Sequence, residues 1–178
     1  MNKRRVFSGM LLLAALSCAL APAARAADFF ADTYYRLSTE FRGADMCLDV
    51  YNGGQKNNLL RLDNCQNVSG QSWVITQERD GYYRLTTQFR GDNMCLDVVN
   101  GGENNNRLQL APCGNFSGQL WSIMPSGSMP DAFRLSSAFR DKRCADIVNG
   151  GSDNNDVVYE PCQNVTGQYW YIEDQNGW

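Results

Sequence analysis

The sequence predicts an all-β protein of about twelve short strands that close into a threefold arrangement. The first observation is repetition: one set of short motifs occurs three times, at nearly equal intervals along the chain. The second is that segments between turn signals alternate apolar and polar residues, and no window keeps a helical period. Three repeats without distinct capping units favour a closed ring over an open solenoid.

Each unit carries the same landmarks in the same order. An Arg-Leu pair and a Phe-Arg pair come first, followed by Cys-x-Asp, Asn-Gly-Gly, a second cysteine and Gly-Gln-x-Trp. The Cys-x-Asp motifs begin at Cys47, Cys95 and Cys144, and the Gln-x-Trp motifs end at Trp73, Trp121 and Trp170. The units cover residues 34–81, 82–130 and 131–174.

The first unit shows why its segments are predicted to be strands. Residues 46–50, 60–62 and 71–75 alternate between two faces, and in the last of these segments Trp73 and Ile75 share one face. Gly- and Asn-rich turn signals separate the runs. Together with the opening segment this gives about four strands in each unit.

The cysteines follow the repeat. Of seven, six fall into three pairs with one identical spacing: Cys47 and Cys65, Cys95 and Cys113, and Cys144 and Cys162. Because a repeated unit should repeat its own local bridge, we expect three intra-repeat disulfides, each contributing about 3 kcal/mol. A zinc site is disfavoured because the chain has no CxxC pair, so we expect no metal and no cofactor.

Residues 1–26 have the layout of a secretory signal peptide. A basic start precedes an apolar stretch and then Ala24-Arg25-Ala26, which places small residues at a cleavage site. We therefore expect a secreted or periplasmic domain over residues 27–178, with no transmembrane segment. The alternative is a lipoprotein anchored at Cys18. Removing residues 1–26 changes the formal charge from −3 to −7, which disfavours binding to nucleic acid.

The composition also disfavours an enzyme. The chain has no histidine, which excludes Ser-His-Asp and Cys-His nucleophilic sites. Paired carboxylates can hydrolyse glycosides without histidine, but they require two different roles. Every prominent Asp here belongs to a threefold pattern, so we expect a protein that is not an enzyme.

These motifs resemble the ricin-type β-trefoil lectin family over residues 34–173. The resemblance implies a twelve-stranded β-trefoil, in which three hairpins cap a six-stranded barrel, and carbohydrate binding at one shallow site per unit. It also implies that Trp73, Trp121 and Trp170 are core and that the glutamines before them hold backbone. Those glutamines are Gln71, Gln119 and Gln168.

The carbohydrate-binding pattern of the family is kept only in part. The sugar-binding carboxylate of the family pattern corresponds to Asp49, Asp97 and Asp146 in the three units. The sugar-binding Gln of the pattern is present only as Gln109. Its amide-bearing Asn is replaced by Gly70, Gly118 and Gly167, and its stacking aromatic by Asp63, Ala111 and Glu160. Tyr51, Tyr159 or Phe116 would have to supply the stacking face from another position.

Two roles for the three aspartates and two functions for the chain stay open. Each Asp either contacts sugar or ties down its own Asn-Gly-Gly turn. The first function is a lectin-like module that binds glycans weakly and gains strength from multivalency. The second is an adaptor that keeps the trefoil, has lost the sugar sites, and binds a toxin or a cell-surface protein.

Overall fold

The computed structural model describes residues 29–30 and 32–175. The expected signal peptide and Cys18 lie outside the described residues. Within the described part there are twelve β-strands: β1 Tyr35–Thr39, β2 Gly43–Val50, β3 Leu60–Asn64, β4 Trp73–Gln77, β5 Tyr83–Thr87, β6 Gly91–Val98, β7 Leu108–Pro112, β8 Trp121–Pro125, β9 Phe133–Ser137, β10 Arg143–Ile147, β11 Val157–Pro161 and β12 Trp170–Asp174. Short 3-10 turns occupy Ser69–Gln71, Arg79–Gly81, Ser117–Gln119 and Thr166–Gln168.

Six of these strands close into a barrel. Antiparallel pairing runs β1–β4, β4–β5, β5–β8, β8–β9, β9–β12 and back from β12 to β1. The other six strands form the hairpins β2–β3, β6–β7 and β10–β11, one in each unit. The predicted β-trefoil with twelve strands and threefold repetition is confirmed.

The three hairpins meet one another in a cyclic pattern. Isolated bridges join Leu59 to Gln109, Arg107 to Val158 and Asp156 to Arg61, so that each hairpin contacts the next. Backbone N–H groups of Leu62, Leu110 and Tyr159 add hydrogen bonds of 2.7–2.8 Å between the units. The hairpins therefore surround a common centre, which we call the axis.

The three tryptophans fill the core. Trp73, Trp121 and Trp170 are at most 1 % exposed. Each indole N–H donates to a backbone carbonyl oxygen in the first strand of the hairpin of its unit, at 2.9–3.0 Å. A buried indole thus contributes its large apolar surface without leaving a polar atom unpaired.

Three disulfides join Cys47 to Cys65, Cys95 to Cys113 and Cys144 to Cys162, one in each unit as predicted. In the first and second units the two cysteines flank the same hairpin, because the register places Cys47 opposite Asp63 and Cys95 opposite Ala111. Each bridge therefore closes a loop that contains the Asn-Gly-Gly turn, with a sequence separation of 18 between its cysteines.

Candidate functional site

The aspartates of the three Cys-x-Asp motifs make identical contacts. In the first unit, Asp49 Oδ1 accepts the N–H of Val50 at 2.7 Å and Oδ2 accepts Nε2 of Gln71 at 3.2 Å. The same two bonds occur at Asp97 and Asp146, with lengths of 2.7–3.0 Å. Each carboxylate is therefore fixed on its strand by two donors.

The glutamine of each Gln-x-Trp motif is equally engaged. Gln71 Oε1 accepts the N–H of Gln66 at 2.7 Å, and its Nε2 also donates to the carbonyl oxygen of Asn64 at 2.9 Å. Gln119 and Gln168 repeat both bonds at 2.7–3.0 Å. The glutamines thus hold backbone near the second cysteine of each unit and orient the aspartates.

An asparagine side chain, and not the aspartate of the Cys-x-Asp motif, holds each Asn-Gly-Gly turn. Asn57 Oδ1 accepts the N–H of Gly53 at 2.8 Å, and the two counterparts do the same at 2.7 and 2.8 Å. The interpretation that each Asp ties down this turn is wrong. Its carboxylate accepts from the adjacent backbone N–H and from the glutamine instead, because the strand directs it toward these donors.

The glycine before each Gln is required by space. A Cβ atom at Gly70, Gly118 or Gly167 would lie 2.2–2.3 Å from Oδ1 of the Asp in the same unit. Such a contact is far inside van der Waals distance. The Asn that the family pattern places here cannot be accommodated while the Asp keeps its position.

Asp49 nevertheless faces a pocket. A depression of about 360 Å³ is lined by Asp49, Tyr51, Arg61, Val68 and Phe89, among others. Arg61 occupies the register position opposite Asp49, the position that Gln109 takes opposite Asp97 in the second unit. We call this depression the first pocket.

A corresponding depression of about 270 Å³ lies beside Asp146 in the third unit. It is lined by Asp146, Asn149, Val165 and Phe41 together with neighbouring backbone. Val158 stands opposite Asp146, so this third pocket lacks the polar partner that Arg61 or Gln109 supplies in the other units.

One wall of each pocket comes from another unit, which the sequence reasoning missed. Phe89 of the second unit lines the first pocket, and Phe41 of the first unit lines the third. The available signal was the Phe-Arg pair, which recurs in every unit but does not belong to a strand pattern. Each of these two pockets therefore has an aromatic residue although its own unit lacks the aromatic two residues before the second cysteine.

The arginine of each Phe-Arg pair locks its ring in place. The guanidinium carbons of Arg42, Arg90 and Arg140 lie 4.1, 4.1 and 4.6 Å from the centroids of the preceding phenylalanines. Arg90 also donates to Asn57 at 2.8 Å, and Arg42 to Asn154 at 2.6 Å, in the turn of the neighbouring unit. One ring face is thus covered by a cation.

The remaining candidate aromatics behave differently. Phe116 is 59 % exposed, and its ring lies so close to Gly114 that a Cβ there would be 2.3 Å from it. Tyr159 is completely buried, and its hydroxyl donates to the carbonyl oxygen of Arg140 at 3.0 Å. The interpretation of Tyr159 as a stacking face is therefore wrong, since it packs edge-on against Trp121 in the core.

A cluster of charges at the axis breaks the threefold symmetry. Asp156 is completely buried and accepts hydrogen bonds from Lys56 at 2.7 Å, from the hydroxyl of Tyr51 at 2.7 Å and from Arg107. Asp153 adds ion pairs with Lys56 at 3.0 Å and with Arg107 at 2.6 Å. We call these five residues the axial cluster.

Contacts within the axial cluster shift the pKa values of three of its members. The hydrogen bond to Asp156 raises the pKa of Lys56, and the hydrogen bond from Lys56 lowers the pKa of Asp153. Burial and the bond to Asp156 raise the pKa of Tyr51. A polar cavity of about 620 Å³ adjoins the cluster and is lined by Lys56, Arg107 and Asp153, among others.

The sequence pattern of the Ricin-type beta-trefoil lectin domain matches residues 34–132, more than half of the chain. The chain belongs to this family. No curated protein sequence matches it significantly. Among the residues that the structure describes, no helix is long and apolar enough to cross a membrane, and no group of three or more Cys, Asp or Glu side chains is arranged to hold a metal ion.

Solved structures share the fold of this lectin-family chain. The designed threefold-symmetric protein ThreeFoil superposes with a TM-score of 0.67 at 23 % identity, over 80 % of this chain and 99 % of that one. A Haemophilus ducreyi cytolethal distending toxin chain gives 0.61 at 17 % identity, over 83 % and 88 %. A mosquitocidal holotoxin gives 0.69 at 12 % identity, but this chain spans only 18 % of its length.

Proposed function

We propose that the mature domain, residues 27–178, is a secreted lectin-like module that binds glycans weakly and without catalysis. The observation that carries the proposal is the first pocket, where an oriented carboxylate, a cation and an aromatic ring from the next unit line one depression. Family membership supports the same ligand class.

The chemistry of the first pocket suits a sugar. Each oxygen of Asp49 accepts one hydrogen bond from the protein and keeps capacity to accept another from a sugar hydroxyl. Arg61 donates only, so it complements a ring or hydroxyl oxygen. Phe89 offers an apolar surface to the C–H side of a pyranose.

The pocket beside Asp146 offers the same carboxylate and a phenylalanine, but no polar residue opposite. In the second unit Asp97 and Gln109 stand opposite each other. We therefore propose up to three unequal sites, whose joint engagement on a multivalent glycan surface raises the apparent affinity.

A glycan array followed by calorimetric titration of residues 27–178 tests the proposal. We expect binding to at least one glycan class, and we expect the Phe41→Ala, Phe89→Ala double variant to lose most of it. The matched control is Met124→Ala, which removes an exposed apolar side chain (57 % exposed) and should leave binding unchanged. No binding to any glycan by the folded wild type would overturn the proposal.

A second candidate, an adaptor subunit that binds a protein, is favoured by the exposure of Phe116. This ring is 59 % exposed in the second unit, where the other units carry Val68 and Val165. Toxin chains that share the fold are compatible with this candidate. A pull-down from the source culture that recovers a stoichiometric protein, lost in Phe116→Ala, combined with an empty glycan array, would favour the adaptor.

A further inference from the structure

The first pocket has an aromatic residue at a position where the other two units have none. Tyr51 stands where the other units have Val99 and Val148, and its side chain lines the pocket beside Asp49. Its hydroxyl is bonded to Asp156, at 2.7 Å, on a strand connection of the third unit. The residue that makes this pocket distinct is therefore anchored by a different repeat.

Asp156 is suited to this anchoring role. The equivalent positions of the other two units hold Leu59 and Arg107, whose side chains cannot accept a hydrogen bond. Asp156 is completely buried, and Lys56 and Arg107 compensate its charge. The acceptor for Tyr51 is thus fixed in place and excluded from water.

The ring that Asp156 anchors in turn contacts Arg61. The Arg61 guanidinium carbon lies 4.6 Å from the centroid of the Tyr51 ring, and the guanidinium also pairs with Asp63 at 2.5 Å. Asp156 therefore holds Tyr51 directly and affects Arg61 only through the ring on which its guanidinium packs. A side chain held in its bound conformation loses less entropy when a ligand arrives.

We propose that Asp156 is a positioning residue of the first pocket, and that it makes this pocket the tightest of the three glycan sites. The proposal rests on the proposed function. Asp156 acts through the hydroxyl of Tyr51 and the guanidinium that packs on its ring, without touching the sugar.

A double-mutant cycle on the mature protein tests the proposal. Tyr51→Phe keeps the ring and removes only the hydroxyl, whereas Asp156→Asn keeps an acceptor oxygen but removes its charge, which weakens the hydrogen bond from Tyr51. We expect Tyr51→Phe to weaken the tightest site about fivefold to tenfold and Asp156→Asn to weaken it about threefold to fivefold. The double variant should bind no more weakly than Tyr51→Phe alone, because Asp156 acts through the hydroxyl that this variant lacks. Additive losses would overturn the proposal.

Site-resolved binding is needed because three sites coexist. The amide N–H groups bonded to the site aspartates serve as reporters in an NMR titration with the best array glycan; they belong to Val50, Val98 and Ile147. We expect Tyr51→Phe to shift the saturation curve of Val50 alone. Equal shifts at all three reporters would also overturn the proposal.

Asp153→Asn is the matched control. Asp153 pairs with the same Lys56 and Arg107. The contacts of Tyr51 within the cluster are instead with Asp156 and Lys56. The Asp153 substitution should change affinity less than twofold, and a loss equal to that of Asp156→Asn would contradict a positioning role for Asp156.

If Asp156→Asn does not fold, the affinity of Tyr51→Phe compared with that of Asp153→Asn still tests the inference. A wild type that binds no glycan removes the proposed function, whereas binding that Tyr51→Phe leaves unchanged removes only this inference.

Discussion

The polar contacts beneath the pockets and those at the axis follow opposite rules. Beneath the pockets, each unit uses the same Asp, Gln and Trp, and the Asp–Gln hydrogen bonds measure 3.2, 3.0 and 2.9 Å in chain order. At the axis, three equivalent positions hold Leu59, Arg107 and Asp156. One network is copied three times, and the other exists once.

The difference has a physical cause. The Asp–Gln contacts lie within single units, so identical residues never meet and repetition costs nothing. At the axis the three equivalent positions converge, and three aspartates or three arginines there would repel one another in a buried site. Different residues at these positions compensate each other, which makes the axis the place where one unit becomes unlike the next.

The strongest test of the copied contacts concerns the tryptophans. Trp121→Ala should lower the free energy of unfolding by about 3–5 kcal/mol, because it removes a completely buried indole and leaves a cavity. Urea unfolding of Trp73→Ala and Trp170→Ala should give similar losses. If the losses in the free energy of unfolding differ between the three variants by more than about 2 kcal/mol, the three copies are not energetically equivalent.

Removal of one axial charge should have the next largest effect. Asp156→Asn removes the buried negative charge that compensates Lys56 and Arg107, and we expect a loss of about 3 kcal/mol in urea unfolding. Asp153→Asn should cost less, since Asp153 is partly exposed and water screens its ion pairs. Equal losses would show that burial does not distinguish the two carboxylates.

The contact between the glycine and the aspartate should give a smaller effect. Gly118→Ala places a Cβ 2.2 Å from Asp97 Oδ1 and should cost about 2 kcal/mol. In a variant that already carries Asp97→Ala the same change should cost much less, because the colliding oxygen is gone. If Gly118→Ala lowers the free energy of unfolding as much in the Asp97→Ala background, its cost comes from the backbone and not from the contact with Asp97.

The smallest expected effect is a dependence of the axis on pH. The pKa of Asp153 is lowered from 3.8, so its ion pairs stabilise the fold above that value and are lost as pH falls through the lowered pKa. The pKa of Lys56 is raised from 10.5, so its contribution is lost only in strong alkali. Thermal melts should separate wild type from Asp153→Asn at about pH 6 and bring them together near about pH 2. A gap that persists in acid would contradict this assignment.

The sequence was sufficient for the fold because its signals repeat. The equally spaced pairs of cysteines, the alternating strands and the Gln-x-Trp motifs each occur three times, so chance agreement is excluded. The three aspartates were found for the same reason, whereas Gln109 occurs in one unit only and was identified from the family resemblance. The carbohydrate role of these residues stays a prediction.

The pocket walls and the axial cluster needed the structure. Phe89 belongs to a different unit from Asp49, and its place in the first pocket depends on how neighbouring units pack. Leu59, Arg107 and Asp156 share no residue type, so repetition does not mark them. Tyr159 was misjudged because burial of an aromatic depends on strand orientation, which alternation alone leaves ambiguous at a hairpin.

The borrowed phenylalanines impose an order on synthesis. The first pocket has its ring as soon as residue 89 is in place, whereas the third pocket waits for Phe41 and Arg42 to meet a turn 112 residues later. Contacts between distant parts of a chain form late and slowly. A ribosome-bound chain therefore carries Phe41 exposed until nearly the whole domain has emerged, and an isolated repeat could complete a pocket only by assembling with another copy that supplies the phenylalanine.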